Sequence, residues 1–330
     1  MKMPVGILAA ALRLPSNHRS AEELFREEGV PFSSELATRL GIKKVPIRNG
    51  ESGSDMAVEA AREALKLAGV EPAQVDVIVE YSILPQEYLV PVWNMSNKVQ
   101  GDIGATKSFV VGFSGGGATN FLVALNSAAA LLQENDALKT AVLVTADITI
   151  PGNRILNPRH PVTVLGDSAS AVVLQRGATS GTILGTELWS DGTNHDICYI
   201  PGGSLIHPDN ADLYRLELDQ QRYEAFPKKD VLHKLSHSLL GRMNLSFSDV
   251  STVIYSNVSS EDQSLCQQVF DGKMSPVCSS NLTTHGHLQG SDFVANYLSL
   301  MANGGTKKGD YVLMASHGMG ALAGTSLLQC

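Results

Sequence analysis

The amino-acid sequence predicts an internally duplicated α/β fold, and three observations carry that expectation. Stretches of strand character alternate with stretches of helical periodicity along all 330 residues, the pattern of strands joined by crossover helices. Near-continuous apolar runs, above all Ala141-Val142-Leu143-Val144-Thr145-Ala146, mark strands covered on both faces. The second half also repeats the plan of the first: a helix precedes the strand Val253-Ile254-Tyr255 as one precedes 75–81, and the elbow and helix over 285–302 answer those over 112–125. Residues 1–175 and 176–330 are the expected halves.

The chain opens on a strand over 5–12, an apolar run whose flanks do not resemble a signal peptide. Ser20-Ala21-Glu22-Glu23 has the capping-box pattern that starts a short helix through Glu27, and a second short helix stops at Arg39-Leu40-Gly41. An amphipathic helix spans 54–68, with Met56, Ala60, Ala64, Leu67 and Ala68 on one side and Gly69 as its stop. A strand over 75–81, an exposed loop over 85–91 and a helix over 92–99 follow.

Next come Ser108-Phe109-Val110-Val111, the elbow Gly112-Phe113-Ser114-Gly115-Gly116-Gly117, and a helix that is apolar or small at nearly every position, hence buried on all sides. The first N–H groups of such a helix lack partners and carry the positive end of its dipole. Ser114 and Gly115 therefore sit where an anionic nucleophile or an oxyanion is favoured. A glycine-rich turn selected for close packing reads the same residues equally well.

Beyond the strand over 141–146, a long loop over 151–161 carries Arg159-His160, and Gly166-Asp167-Ser168-Ala169-Ser170 turns into a buried strand ending at Leu174. The second half is read as a helix over 231–240, the strand over 253–255, an elbow at His285-Gly286-His287-Leu288-Gln289-Gly290, a helix over 291–302 and a strand over 311–315. Pro201-Gly202-Gly203 falls in a loop-rich insertion.

Composition narrows the function. The chain is 43% hydrophobic and 6% aromatic, with a net charge of −8 and no basic cluster interleaved with aromatics, which argues against nucleic acid as a partner. No apolar run is long enough to span a bilayer, so no membrane association is expected and the location expected is cytoplasmic. Cys198, Cys266, Cys278 and Cys330 are scattered without C-x-x-C spacing, which indicates neither a metal site nor a disulfide framework.

Seven short motifs then fall in register: Gly41-Ile42, Leu67-Ala68-Gly69, Gly115-Gly116-Gly117, Gly166-Asp167-Ser168-Ala169-Ser170, Ser190-Asp191-Gly192, His285-Gly286-His287 and Gly318-Met319-Gly320. In order and spacing the chain resembles the β-ketoacyl-acyl carrier protein synthase III (KAS III) family over nearly its whole length. The resemblance implies the thiolase fold, two βαβαβαββ halves in a five-layer αβαβα sandwich. It also implies a homodimer acting on acyl thioesters of coenzyme A or of an acyl carrier protein, with no tightly bound cofactor.

The family's chemistry rests on a cysteine, a histidine and an asparagine, and this chain departs at all three. Gly115, preceded by Ser114, stands at the cysteine position, Asn257 at the histidine position and His287 at the asparagine position. Condensing relatives hold two neutral donors around a malonyl thioester carbonyl to stabilise an enolate. Moving the one histidine across breaks that pair and leaves a single general base. Asp292, in the first turn of the next helix, orients the imidazole if the chain folds back there.

A histidine followed five residues later by aspartate is similar to the KAS III-like branch that acylates an oxygen or nitrogen nucleophile in tailoring natural products. The expected function is therefore an acyltransferase that moves an acyl group from a carrier-protein or coenzyme A thioester to a hydroxyl or amine of a small-molecule acceptor, in polyketide-type secondary metabolism. The alternatives are a decarboxylating carbon–carbon condensing enzyme with an altered site, and a catalytically inactive partner subunit of a ketosynthase heterodimer.

Three accounts of the missing thiol stay open: Ser114 as a displaced nucleophile activated by His287, direct transfer without a covalent intermediate, or a glycine standing where the natural chain has cysteine. The expected oxyanion donors are the N–H groups of Gly115 and of the Met319-Gly320 turn. Asn257 is read as a polar, donor-bearing group in the pocket, or as a tie for a loop. By resemblance Arg39 matches a coenzyme A-contacting arginine, whereas Glu35 replaces the tryptophan that stacks on adenine, which turns attention to a carrier protein's phosphopantetheine arm. His160 and His317 are expected to line the acceptor cavity, while His18, His195, His207, His233 and His237 read as surface or packing residues and Cys278 as an inert buried thiol.

Overall fold

Nine strands join in one hydrogen-bonded series in the computed structural model, which describes residues 3–83, 94–150, 152–203, 207–319 and 321–330. Val5–Arg13 (β1), Val77–Glu80 (β2), Phe109–Gly112 (β3), Thr140–Asp147 (β4) and Ser168–Arg176 (β5) lie in the order β3-β2-β4-β5-β1. Thr182–Ser190 (β6), Val250–Tyr255 (β7), Tyr311–Gly318 (β8) and Leu322–Gln329 (β9) follow as β7-β8-β9-β6. The second series thus repeats the first without its outermost strand, where a parallel bridge joins Val253 to Met274. The two series meet edge to edge at Gly6 and Thr182.

Pairing sense repeats as well. β2 runs parallel to β3 and β4, and β7 parallel to β8, whereas β4–β5 and β8–β9 are antiparallel. Parallel neighbours require crossover helices, and these form the layers. Asn120–Glu134 and Asp292–Ala302 share one apolar core with residues from both strand series, which makes them the middle layer. Gly53–Ala68 and Met95–Ile103 cover the far face of the first series, and Lys228–Arg242 and Ser260–Val269 that of the second. The result is α/β/α/β/α. β4, buried at every position, is the covered strand that its unbroken apolar run predicts.

Some expectations move. In Gly53–Ala68 the buried stripe runs through Met56, Ala60, Ala61 and Ala64, but Leu67 falls off its edge in the last turn and is 61% exposed. The helix expected over 92–99 begins at Met95, where the Asn94 side chain accepts the Ser96 N–H, and continues to Ile103. The loop expected over 85–91 and residues 92–93 lie outside the described residues. The long loop after β4 contains a small hairpin, Ile155–Leu156 paired with Thr163–Val164. Strands β6 and β9 and the helices Ser260–Val269 and Pro276–His285 are elements that periodicity did not mark.

Candidate active site

The elbow after β3 is held by one buried amide. Gly117–Thr119 forms a single 3₁₀ turn that continues into the middle-layer helix at Asn120. Asn120 Oδ1 accepts the Gly116 N–H at 2.8 Å, and Asn120 Nδ2 bridges the Tyr81 and Ser82 carbonyls at 3.3 Å each. A polar side chain at the mouth of an apolar helix is thereby satisfied, and the elbow is tied to the end of β2. Gly116 has no room for a side chain, since an added Cβ would sit 2.4 Å from Asn120 Oδ1. Gly115 differs. Its φ of +86° is left-handed, and a Cβ there would meet nothing within 4 Å.

That open space belongs to a cavity of about 440 Å³ whose wall includes Gly115, Gly117, Val258, His287, His317, Gly318 and Met319, with apolar cover from Ile83, Leu156, Leu165 and Leu322. The two glycine-rich loops touch in its floor: a Cβ on Gly318 would be 2.9 Å from the Gly116 carbonyl oxygen. Ser114 is exposed and forms no part of the wall. Gly320 lies outside the described residues.

His287 reaches the cavity because its turn cannot be built otherwise. Pro276–His285 ends at Gly286, whose φ is +66° and whose Cβ, if present, would be 2.5 Å from Val45 Cγ1 and 2.6 Å from the Val164 carbonyl oxygen. The His287 N–H donates to the Val164 carbonyl and its own carbonyl accepts the Gly166 N–H, both at 3.0 Å. The chain then folds back, so that His287 Nδ1 lies 2.6 Å from Asp292 Oδ2. Asp292 is fully buried and also accepts the backbone N–H groups of Leu288 and Asn257, both at 2.7 Å. With Nδ1–H donated to the carboxylate, the basic lone pair of the neutral ring is on Nε2.

Burial disfavours the imidazolium, but the charge and hydrogen bond of Asp292, with lesser help from Asp147 and Asp262, outweigh it and hold the His287 pKa above its ordinary value. Asp147 ends β4 and was not picked out in the sequence, although a carboxylate closing a fully buried strand is itself a signal. It accepts the N–H groups of Ile83 at 2.8 Å and Gly290 at 3.0 Å, tying the His287 turn to the end of β4. Burial pushes its carboxyl up to about 6.

Two expected residues are elsewhere. The reading of Asn257 as a donor in the pocket is corrected: its side chain is committed to a buried amide cluster, with Asn257 Oδ1 accepting from Asn296 at 3.0 Å and from Gln263 at 3.2 Å, and Val258 rather than Asn257 forms the wall. The expectation for His160 is also corrected. The hairpin tip turns at Asn157, which has φ +55° and accepts the His160 N–H at 3.0 Å, and this projects His160 into solvent.

Arg39 lies in an outer cleft, donating to the Pro161 carbonyl at 2.8 Å and pairing with Glu261 at 3.4 Å. His317 does line the cavity. His195, read as a surface or packing residue, stands at the rim with its side chain 78% exposed. Cys278 is buried, and burial pushes its thiol up to about 12, consistent with an inert group. Among the described residues no helix is long and apolar enough to cross a membrane.

Known proteins share this architecture. The family described as 3-oxoacyl-[acyl-carrier-protein] synthase III matches residues 116–192, from within the elbow to the turn after β6. The β-ketoacyl-[acyl-carrier-protein] synthase III of Rhodospirillum centenum is 28% identical over 333 residues, which cover 98% of each chain. Among solved structures, the priming β-ketosynthase of the R1128 polyketide biosynthetic pathway superposes with a TM-score of 0.84 at 20% identity, covering 99% of this chain and 97% of that one. ChlB3, described as an acyltransferase, does so with a TM-score of 0.80 at 22% identity, again covering 99% and 97%. The layered, duplicated α/β arrangement is the thiolase fold.

Proposed function

Taking as premise that the chain is a KAS III-like protein of the thiolase superfamily, we propose that it is an acyltransferase that moves an acyl group from a carrier-protein or coenzyme A thioester to a hydroxyl or amine of a small natural-product acceptor. The observation that carries this reading is the His287–Asp292 pair at 2.6 Å on a cavity wall from which Asn257 is withdrawn. One oriented base suits removal of a proton from an attacking alcohol or amine. Enolate chemistry needs a pair of neutral donors, and Asn257 does not supply the second.

In the proposed reaction the acceptor's oxygen or nitrogen attacks the thioester carbonyl carbon while His287 Nε2 takes its proton. The tetrahedral oxyanion is met by the N–H groups of Gly115 and Met319, both of which border the cavity. Collapse breaks the C–S bond, and the imidazolium returns the proton to the leaving thiolate. No group at Gly115 carries the acyl chain, so donor and acceptor are bound together. The engagement of Arg39 with Pro161 and Glu261 favours a carrier-protein arm over the free nucleotide as donor. We take the acting form to be a cytoplasmic homodimer without a bound cofactor.

Incubation with octanoyl-CoA or octanoyl carrier protein and 1-octanol or octylamine, read by mass spectrometry of the ester or amide, tests the assignment. His287→Ala is expected to lose about 10²-fold or more in rate. Decarboxylation of malonyl-CoA in the absence of any alcohol or amine would point instead to a condensing enzyme. The lack of a side chain at Gly115 favours a second reading, an inactive partner subunit, and full activity of a complex containing His287→Ala would establish that one.

A further inference from the structure

The turn that carries the base is gripped in its middle as well as at its ends. Between His287 and Asp292 the chain passes through Gln289, whose φ of +56° is left-handed, a conformation that a residue with a side chain keeps only when its surroundings impose it. The 3₁₀ turn Gln289–Ser291 sets the Gly290 N–H against Asp147, the last residue of β4. Glycine is needed for this approach, because a Cβ on Gly290 would sit 2.8 Å from Asp147 Oδ2 and 2.9 Å from Thr145 Oγ1. Ser168, opposite Asp147 on β5, donates its hydroxyl to the Leu288 carbonyl at 3.1 Å. Two strand ends therefore hold the peptides on either side of Gln289.

Asp147 is wholly buried, and its two oxygens reach different parts of the site. Oδ2 accepts the Gly290 N–H and the Thr145 hydroxyl, both at 3.0 Å, while Oδ1 accepts the Ile83 N–H at 2.8 Å. Ile83 continues the segment whose Tyr81 and Ser82 carbonyls are bridged by Asn120, the same amide that holds the Gly116 N–H of the elbow. One carboxylate thus joins the turn of the base to the segment that anchors the elbow. It does so from behind the wall: Ile83, Thr149 and Gln289 border the cavity, whereas Asp147 is not among the described residues that do.

We propose that Asp147 is a positioning residue for acyl transfer: it fixes the His287 imidazole relative to the Gly115 elbow, through Gly290 on one oxygen and Ile83 on the other. The inference rests on the acyl-transfer reading above and adds to it the group that registers the base against the oxyanion donors. Three donors face the two oxygens, which suits the ionised form. Burial raises the carboxyl only to about 6, so it is charged at the pH where neutral His287 works. At His287 burial disfavours the imidazolium, and Asp292, then Asp147 and Asp262, favour it. Glu80 and Tyr81 are further ionisable groups within reach of Asp147.

Two substitutions separate the parts of this role. Asp147→Asn keeps the shape and removes the charge, while Gly290→Ala keeps every charge and pushes the turn off the carboxylate. With octanoyl-CoA and 1-octanol, Asp147→Asn is expected to move the rate–pH inflection of His287 down by about half a unit or more. Its kcat is expected to fall about tenfold or more with the 1-octanol KM within about threefold of the parent, because the carboxylate does not touch the acceptor. Gly290→Ala is expected to lower kcat by about tenfold with both carboxylates in place. An unmoved inflection in folded Asp147→Asn overturns the inference. Should Asp147→Asn not fold, a Gly290→Ala kcat within about threefold of the parent overturns it.

The proton between His287 Nδ1 and Asp292 gives a readout that needs no turnover. In a hydrogen bond of 2.6 Å it resonates far downfield, is assigned by its loss in His287→Ala, and reports the charge of the ring as pH is varied. The midpoint of that titration is expected to fall in Asp147→Asn, whereas a carboxylate that only braced the fold would leave it in place. If no ester or amide forms yet the midpoint falls, the proposed function falls and the hold of Asp147 on His287 stands. If the midpoint stays while the parent acylates 1-octanol and His287→Ala does not, the proposed function stands and the inference falls.

Discussion

Asp292 Oδ2 receives both His287 Nδ1, at 2.6 Å, and the Asn257 N–H, at 2.7 Å, so one carboxylate oxygen orients the base and anchors the loop that carries the displaced asparagine. Because Asp292 and its neighbours outweigh burial and raise the His287 pKa, while only the neutral ring accepts a proton, transfer is expected to rise with pH through an inflection above the ordinary histidine value of about 6.5. Asp292→Asn keeps the shape and removes the charge. It is expected to move the inflection to lower pH and to lower kcat by about 10²-fold. Stability carries the matching sign: the contribution of the charged pair is fully present below the unfolded histidine pKa and is lost as pH rises through the folded one. Rate–pH profiles of both proteins check this, and an inflection unmoved by Asp292→Asn would contradict it.

Asn257 is expected to matter for stability rather than turnover. Its side chain is wholly buried and exchanges hydrogen bonds with Asn296 and Gln263, so Asn257→Ala leaves two amides short of partners at a cost of about 2 kcal/mol. Urea unfolding should report that loss while kcat stays within about threefold of the original. A kcat loss of about 10²-fold in a stably folded variant would instead return Asn257 to the reacting groups.

The fold was legible where burial was one-sided or complete. β4 is an unbroken apolar run and Gly53–Ala68 a clean stripe, so each announces its period. β6, Thr-Ile-Leu-Gly-Thr-Glu-Leu-Trp-Ser, is mostly half-buried and mixes polar and apolar residues without alternation, and Pro276–His285 has no apolar stripe, so tertiary contacts decide both. In the site, the five-residue spacing from His287 to Asp292 let the fold-back be read in advance. Long-range partnerships could not be read: Asp147 to Gly290 spans 143 residues, and the Asn257 amide cluster draws on three separate helices. His160 was misjudged because its place depends on a hairpin only two residues long on each side.

Glu80, the last residue of β2, is half-buried beside Ser82, and its withdrawal from water pushes its carboxyl up to about 7. A carboxyl whose folded pKa is raised binds its proton more tightly when folded, so its contribution to stability declines as pH climbs from its unfolded value near 4 to about 7. Glu80→Gln retains the acceptor for the Ser82 N–H and removes the ionisation. Relative to the parent, it should gain stability progressively across that window and hold the gain above it, by roughly 1 to 3 kcal/mol. Thermal unfolding of both proteins between pH 5 and about 8 reads the difference. A constant difference across that range would show that Glu80 does not titrate there.

β3 ends the first strand series with one edge unpaired by any described strand, and it leaves Phe109 67% exposed. We propose that this edge, with its large apolar side chain, is where a second copy docks if the chain forms the expected homodimer. Phe109→Asp is therefore expected to convert the dimer to a monomer in sedimentation velocity. A monomer before substitution, or an unchanged dimer after it, removes β3 from the interface.

Gly115 decides whether the acyl group ever bonds to the protein. The space above it is open, so a thiol side chain fits, but φ of +86° makes any L side chain strained there, at about 1–2 kcal/mol. A thiol at this elbow sits at the start of a buried helix, which favours its thiolate. Incubated with octanoyl-CoA, Gly115→Cys is expected to gain a single octanoyl group by intact mass that prior alkylation with iodoacetamide prevents, while the glycine protein gains none. Ester formation by the glycine protein without such an adduct supports direct transfer. An adduct on the glycine protein that disappears in Ser114→Ala would overturn direct transfer and make Ser114 the nucleophile, despite its exposure outside the cavity wall. If Gly115→Cys both forms the adduct and raises the ester-forming rate by about tenfold or more, the covalent route is the one this cavity is shaped to serve.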